Sequence, residues 1–221
     1  MSRQAAVLSL GTRKDATTWE KGCRSLGFGV TGPIKKGSPS LDELRAFFRA
    51  KPSWLYLGGH FSSSELYNEN RSVGVEFRET SVRLVAGAQS VELKKGTADF
   101  CLDANCDVVL WGGCSVCSSE STIRTMRLLF GQHLLFGFAG LTGWRMVDAM
   151  LGGGFIKADA SFFGRLRERD LSADVVRDAW MTTARFGYGG GGNESKFRAI
   201  DPNGQEWRLQ DGEIVRGRKI S

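Results

Sequence analysis

The most strand-like stretch of the sequence reads Asp107-Val108-Val109-Leu110-Trp111, and a pair of glycines, Gly112-Gly113, ends it. An uninterrupted apolar run of this length, ended by glycine, is typical of a strand buried on both faces of a sheet. A stretch with helical spacing of its apolar residues follows over 123–130, and a second apolar run follows over 134–138. Strand, helix and strand in this order indicate part of a parallel sheet covered by helices.

The same alternation extends in both directions along the chain. Apolar runs over 5–10 and 54–57 predict two further buried strands, and helical spacing predicts helices over 15–26 and 41–48. A further helix is predicted over 144–151. We therefore predict an α/β fold with a mostly parallel, doubly wound sheet that is flanked by helices on both faces.

The predicted α/β domain covers residues 1–188 and carries two antiparallel additions. Short alternating segments over about 73–93 predict one or two inserted hairpins. A glycine run at 189–192 predicts a linker. The tail over 193–221 contains the turn Pro202-Asn203-Gly204, and it predicts a small antiparallel β unit that packs on the same domain.

Composition excludes several classes of protein. The 221 residues are 41% hydrophobic and 24% charged with four prolines, which is unlike a disordered, collagen-like or coiled-coil chain. The sequence shows no secretory signal and no apolar run near the roughly 20 residues of a membrane span, so we expect a cytoplasmic protein that does not enter a membrane. The formal net charge is +6, but basic residues are not interleaved with aromatic ones, so we do not expect nucleic-acid binding.

A histidine and a cysteine follow two of the predicted core strands directly. His60 comes after Gly58-Gly59, and Cys114 comes after Gly112-Gly113. Because the carboxyl ends of parallel strands meet at one edge of a sheet, we expect the imidazole and the thiol to lie close together. Such a pair supplies a nucleophile and its acid/base partner. A helix predicted to start near Ser118 or Ser119 would add backbone N–H groups that stabilise a thiolate.

The cysteines leave other interpretations open. Cys101, Cys106, Cys114 and Cys117 follow one another closely, as in zinc or iron–sulfur sites. The strand between Cys106 and Cys114 would hold them about 25 Å apart, however, so one ion cannot bind both and we expect no metal. Cys117 is a rival nucleophile, or a resolving thiol for Cys114 in a C-x-x-C pair. We expect His133, which precedes the last predicted core strand, to be structural.

The two motifs, Trp54–His60 and Asp107–Cys114, resemble the caspase-hemoglobinase superfamily of cysteine peptidases (clan CD) in their residues and order, above all its CHAT, gingipain and clostripain-like branches. In that superfamily one apolar strand delivers Gly-His-Gly, and the next core strand delivers the nucleophilic cysteine. A helix after the cysteine then leads into another apolar strand. The resemblance covers roughly residues 5–155, and it implies a caspase-like fold.

The resemblance also implies a cysteine endopeptidase that needs no cofactor and acts on protein or peptide substrates. Cys114 would be the nucleophile and His60 the general acid/base, while the backbone N–H groups of Cys114 and Phe61 would form the oxyanion hole. Phe61 stands where the family has glycine. This departure keeps open a second function, that of a catalytically degenerate, caspase-like interaction module.

The resemblance also indicates which residues would set substrate preference and where the chain would be cut. Family members read the residue before the scissile bond with a charge that follows the first strand, and Arg13 and Asp15 occupy this region. Arg13 would favour acidic substrates and Asp15 basic ones, so both substrate classes stay open. Such peptidases are often latent and cut themselves, which makes the run at 189–192 a candidate cleavage segment and leaves room for a regulatory protein partner.

Overall fold

The computed structural model describes most of the chain. The described residues are 3–11, 13–31, 33–35, 38–62, 64–103, 106–112, 115–131, 133–140, 161–187 and 194–221. The helix predicted over 144–151, the glycine run at 189–192 and the candidate nucleophile Cys114 lie outside these ranges. Within the ranges, no helix is long and apolar enough to cross a membrane.

A nine-stranded mixed sheet forms the centre of the protein. In chain order its strands are β1 (Gln4–Ser9), β2 (Gly29–Val30), β3 (Ile34–Lys35), β4 (Trp54–Gly58), β10 (Val108–Trp111), β11 (Leu134–Phe138), β12 (Phe197–Ile200), β13 (Gln205–Gln210) and β14 (Glu213–Lys219). Eight of them are hydrogen-bonded in the order β14-β13-β12-β11-β10-β4-β1-β2, and β3 also pairs with β1. Six strands of this sheet are parallel to one another, namely β1, β2, β3, β4, β10 and β11. The sheet continues from β11 through β12, β13 and β14, and each of these three strands is antiparallel to the one before it.

A second sheet has five antiparallel strands. They are β5 (His60–Ser62), β6 (Glu65–Tyr67), β7 (Val73–Phe77), β8 (Ser81–Ala86) and β9 (Gln89–Lys94). The hairpins predicted over about 73–93 form its last three strands. The sheet begins earlier than predicted, because β5 follows β4 after a single residue. Strands as short as β5 and β6 have too few residues to show an alternating pattern in the sequence.

Helices cover the two faces of the main sheet, as predicted. They are α1 (Arg13–Ser25), α2 (Leu41–Phe48), α3 (Glu120–Phe130) and α4 (Ala173–Gly187), and residues 161–166 are also helical. One apolar cluster joins α2, α3 and the five-stranded sheet to one face of the main sheet. A second cluster joins α1, the helical segment 161–166 and α4 to the other face. The α/β class expected from the sequence is therefore confirmed.

Local sequence signals explain where two of these helices begin. Ser40 accepts a hydrogen bond from the backbone N–H of Glu43, and the Glu43 carboxylate accepts one from the backbone N–H of Ser40. This is the capping box that starts α2. Ser119 caps α3 by accepting a hydrogen bond from the backbone N–H of Thr122. The helix after Cys114 therefore begins where the sequence predicts it.

Candidate functional site

The neighbouring strands β4 and β10 bring the two sequence motifs to one edge of the main sheet. They pair in parallel with Leu57 opposite Trp111. The backbone N–H of Gly112 donates to the carbonyl oxygen of Leu57 at 2.8 Å, so the pairing continues to the point where β10 ends. His60 follows Leu57 by three positions, and Cys114 follows Trp111 by three. The segments that lead to His60 and Cys114 therefore leave adjacent strands at the same edge.

The glycines before His60 and Cys114 have a packing role that the sequence did not reveal. A Cβ atom at either Gly58 or Gly112 would lie 2.7 Å from the hydroxyl oxygen of Tyr56. Tyr56 is buried and stacks on Trp19, with the ring centroids 5.2 Å apart. The two glycines therefore make room for a core tyrosine on the α1 face of the sheet.

His60 and Phe61 begin β5 and point in different directions. The side chain of His60 is exposed, and its ring stacks on Tyr67 with a centroid distance of 5.7 Å and an interplanar angle of 22°. Phe61 is buried and contacts Trp111 edge-on at 5.6 Å. Successive side chains of a strand point to opposite faces, so the Phe61 ring lies away from the face that carries His60. Phe61, which stands where the resemblance implies glycine, therefore contributes to the core.

A hydrogen-bonded turn over 115–118 separates Cys114 from α3. Ser115 has a φ of 60°, in the left-handed region. Its backbone N–H donates to the carbonyl oxygen of Gly140 at 2.9 Å, and that of Cys117 donates to Phe138 at 2.9 Å. The backbone N–H of Ser118 donates to Ser115 at 3.1 Å. These three N–H groups are therefore occupied within the protein and are not available to an oxyanion.

Cys117 is placed as a core residue. Its side chain is 1% exposed, and burial raises the pKa of the thiol to about 12. A Cβ atom at Gly137, on the adjacent strand β11, would lie 2.8 Å from its sulfur atom. A thiol that is buried and protonated at neutral pH is a poor nucleophile. The geometry therefore argues against Cys117 as the rival of Cys114.

The other described cysteines do not form a metal centre. Cys106 is buried, its thiol donates to the carbonyl oxygen of Val108 at 3.4 Å, and burial raises its pKa. Burial likewise raises the pKa of the Cys23 thiol to about 12. Among the residues that the structure describes, no group of three or more histidine, cysteine, aspartate or glutamate side chains could hold a metal ion.

Arg13 and Asp15 belong to the first turn of α1, which begins shortly after β1. In the β1–β4 pair, Ser9 lies opposite Gly58. The backbone of this turn is therefore at the same edge of the sheet as the ends of β4 and β10. The side chains of Arg13 and Asp15 lie outside the described part of the structure, so both substrate classes stay open.

An ion-pair network around the buried Glu206 lies behind the turn 115–118, and no pattern in the sequence indicates it. Glu206 is only 5% exposed and pairs with Arg198 at 3.1 Å and with Arg218 at 3.5 Å. Arg218 also donates to the carbonyl oxygen of Cys117 at 3.4 Å. The tail strands therefore contact the segment that follows Cys114. In the sequence Gln205–Gln210, Glu206 reads as one more polar residue of an exposed strand.

His133 lies at the opposite edge of the sheet, just before β11. Its Nε2 atom is buried and has no hydrogen-bond partner. Burial, followed by the positive charges of Lys95 and Arg127, lowers the pKa of the imidazole to about 4. This half-buried ring precedes β11 at the edge of the sheet opposite the carboxyl ends of β4 and β10, and it therefore lies away from the candidate site.

The candidate site thus consists of the ends of β4 and β10, the exposed His60 and the hydrogen-bonded turn 115–118. Its assignment depends on these positions and on the two sequence motifs. Compared with known proteins, the chain matches no protein-family model, no curated protein and no solved structure.

Proposed function

We propose that the protein is a cysteine endopeptidase of caspase-like type that acts in the cytoplasm, with Cys114 as nucleophile and His60 as general acid/base. The observation that carries this proposal is the parallel pairing of β4 with β10, in which Leu57 lies opposite Trp111. His60 follows Leu57 by three positions, and Cys114 follows Trp111 by three. A thiol and an imidazole that converge at the carboxyl edge of a sheet can act on one carbonyl group.

The reaction begins with attack of the Cys114 thiolate on the peptide carbonyl carbon. The carbonyl oxygen becomes an oxyanion, which the backbone N–H groups of Cys114 and Phe61 stabilise. The C–N bond then breaks, and His60 donates a proton to the leaving amine. Water attacks the resulting thioester while His60 accepts its proton. The C–S bond then breaks, the carboxylic acid product leaves, and the Cys114 thiolate and the protonated His60 are restored.

Latency and self-processing fit the same proposal. Cleavage in the run 189–192 would separate the tail from the preceding residues. Because β12 pairs with β11, and Arg218 of β14 donates to the carbonyl oxygen of Cys117, the tail has contacts that would retain it after cleavage.

The test compares four variants for cleavage of fluorogenic peptides and for labelling by a peptidyl chloromethyl ketone. The peptides carry aspartate, arginine or lysine before the scissile bond, which separates the preferences that Arg13 and Asp15 would confer. We expect Cys114→Ala to abolish cleavage and labelling and His60→Ala to slow both at least about 100-fold. Cys101→Ala and Cys117→Ala are the matched controls and should retain activity. If Cys114→Ala cleaves and labels like the parent, the assignment is wrong.

A non-catalytic interaction module of the same fold is the second candidate. The observation that favours it is Phe61, which is buried in the core and stands where the resemblance implies glycine. This alternative predicts a folded protein that neither cleaves the peptides nor reacts at Cys114 faster than an unfolded control. Rapid labelling of Cys114 alone would exclude it.

A further inference from the structure

The imidazole of His60 is held by a neighbouring side chain although it lies on the surface. Tyr67 is opposite His60 in the antiparallel pair of β5 and β6. The two rings are nearly parallel, with an interplanar angle of 22° and a centroid distance of 5.7 Å. An exposed histidine usually samples several rotamers, and a stacked neighbour reduces that freedom.

Tyr67 is itself fixed in place by Arg71. The Arg71 guanidinium lies over the Tyr67 ring at 4.2 Å from its centroid, and its Nη2 atom donates to the Tyr67 hydroxyl at 3.1 Å. This is a cation–π contact combined with a hydrogen bond. The three side chains form a continuous surface cluster, here called the His60–Tyr67–Arg71 stack.

Hydrogen bonds within the loop between β6 and β7 hold the backbone of Arg71 in its conformation. Arg71 has a φ of 56°, which is in the left-handed region that a non-glycine residue adopts at a cost. Asn68 is buried, and its side chain accepts a hydrogen bond from the backbone N–H of Val73 and donates one to Ser72, both at 3.1 Å. The backbone N–H of Arg71 donates to the carbonyl oxygen of Asn68 at 3.1 Å. The surrounding loop therefore maintains the strained conformation.

We propose that Tyr67 is a positioning residue for His60 and that Arg71 holds Tyr67 in this role. The inference rests on the proposed peptidase function, in which His60 must direct one ring nitrogen toward the thiol and then toward the leaving amine. Reactions between positioned groups lose rate steeply when the geometry is relaxed. Stacking on Tyr67 fixes the plane of the imidazole and thereby limits the directions in which its nitrogens can point.

The first test observes the imidazole directly and needs no enzymatic activity. The chain has only two histidines, so the spectrum of a His133→Gln variant assigns the imidazole resonances of His60. Protons stacked on an aromatic ring are shifted upfield. We expect the His60 resonances to move downfield in Tyr67→Ala and to stay near their parent positions in Tyr67→Phe, which retains the ring. Unchanged resonances in Tyr67→Ala would overturn the inference.

The second test measures peptide cleavage by the same variants. We expect Tyr67→Ala to lower kcat about tenfold or more with little change in KM, and Tyr67→Phe to restore most of the rate. Arg71→Ala should have a smaller effect in the same direction. Glu65→Ala is the matched control, because Glu65 lies two positions earlier in β6 on the same face, and it should cleave like the parent.

The results separate this inference from the proposed function. If the parent cleaves and Tyr67→Ala has the parent kcat, the positioning role is wrong while the peptidase assignment stands. If the parent does not cleave any peptide, the peptidase assignment is wrong. The resonances of His60 then still decide whether Tyr67 orients the ring.

Discussion

Gly112 lies so close to Tyr56 that a Cβ atom at position 112 would be 2.7 Å from the phenol oxygen. Gly58, on the neighbouring strand, has the same relation to the same oxygen. The Tyr56 ring cannot move aside freely, because it is buried and stacks on Trp19. One buried tyrosine therefore leaves no room for a side chain at positions 58 and 112, at the sheet edge that carries the candidate site.

This relation predicts that Gly112→Ala destabilises the protein by about 1–3 kcal/mol, since overpacking displaces a buried ring. The cost should be smaller in a Tyr56→Phe background, because the next nearest atom, Cζ, would lie 3.1 Å from the new Cβ. Urea unfolding of the two single variants and the double variant measures the difference. Gly58→Ala is the control, since the ring carbon Cε1 at 2.8 Å remains in phenylalanine and little relief is expected. Equal costs of Gly112→Ala in both backgrounds would contradict the steric explanation.

Cys117 should resist alkylation in the folded protein. Its thiol is buried with a pKa raised to about 12, so little thiolate is present at neutral pH and reagent has no access to it. Mass mapping after iodoacetamide treatment should show Cys117 unmodified in buffer and modified in urea. Cys101, which is only partly buried, is the internal comparison and should be modified faster in the folded protein. Fast modification of Cys117 without denaturant would make Cys117 a candidate nucleophile again.

Glu206→Gln should destabilise the protein by about 1–3 kcal/mol, because it removes the charge of the buried carboxylate that pairs with Arg198 and with the partly exposed Arg218. Arg218 also contacts the carbonyl oxygen of Cys117, so the turn 115–118 should lose protection against hydrogen exchange. Denaturant unfolding and exchange mass spectrometry measure the two effects. Glu213→Gln changes an exposed carboxylate of β14 and should stay within about 0.5 kcal/mol of the parent. If Glu206→Gln and Glu213→Gln lower the free energy of unfolding by similar amounts, the ion-pair network stabilises the protein no more than an exposed carboxylate does.

His133 should make the protein less stable in mild acid. Its pKa is about 4 in the folded state, against 6.5 in an unperturbed chain, because burial and the charges of Lys95 and Arg127 disfavour the protonated ring. Between these values the unfolded chain binds a proton that the folded protein does not. The free energy of unfolding therefore falls as the pH decreases from 6.5 to about 4, by at most about 3 kcal/mol.

The measurement is urea unfolding at a series of pH values between 4 and 7. We expect His133→Gln to remove most of this pH dependence. His60→Gln is the matched control, since it changes the only other histidine and one that lies on the surface. A slope that is the same in His133→Gln and the parent would rule out His133 as its source.

Several features of the fold could be predicted from local sequence. The apolar runs at 54–57 and 108–111 indicated core strands, because a strand buried on both faces needs apolar side chains at every position. The start of α2 is likewise local, because the capping box of Ser40 and Glu43 involves only neighbouring residues. The placement of His60 and Cys114 after adjacent strands also followed from their order along the chain.

Other features required the tertiary structure. The sequence by itself determined the long core strands, the helices beside them and the reactive residues that follow the strands, but not the short strands β5 and β6. Only the folded chain decided that β12 joins β11, that Glu206 lies buried between two arginines, and that Tyr67 stacks on His60. The physical reason is that secondary structure depends on periodic patterns of neighbouring residues, whereas burial and stacking depend on contacts between segments that are distant along the chain and have no local pattern of their own.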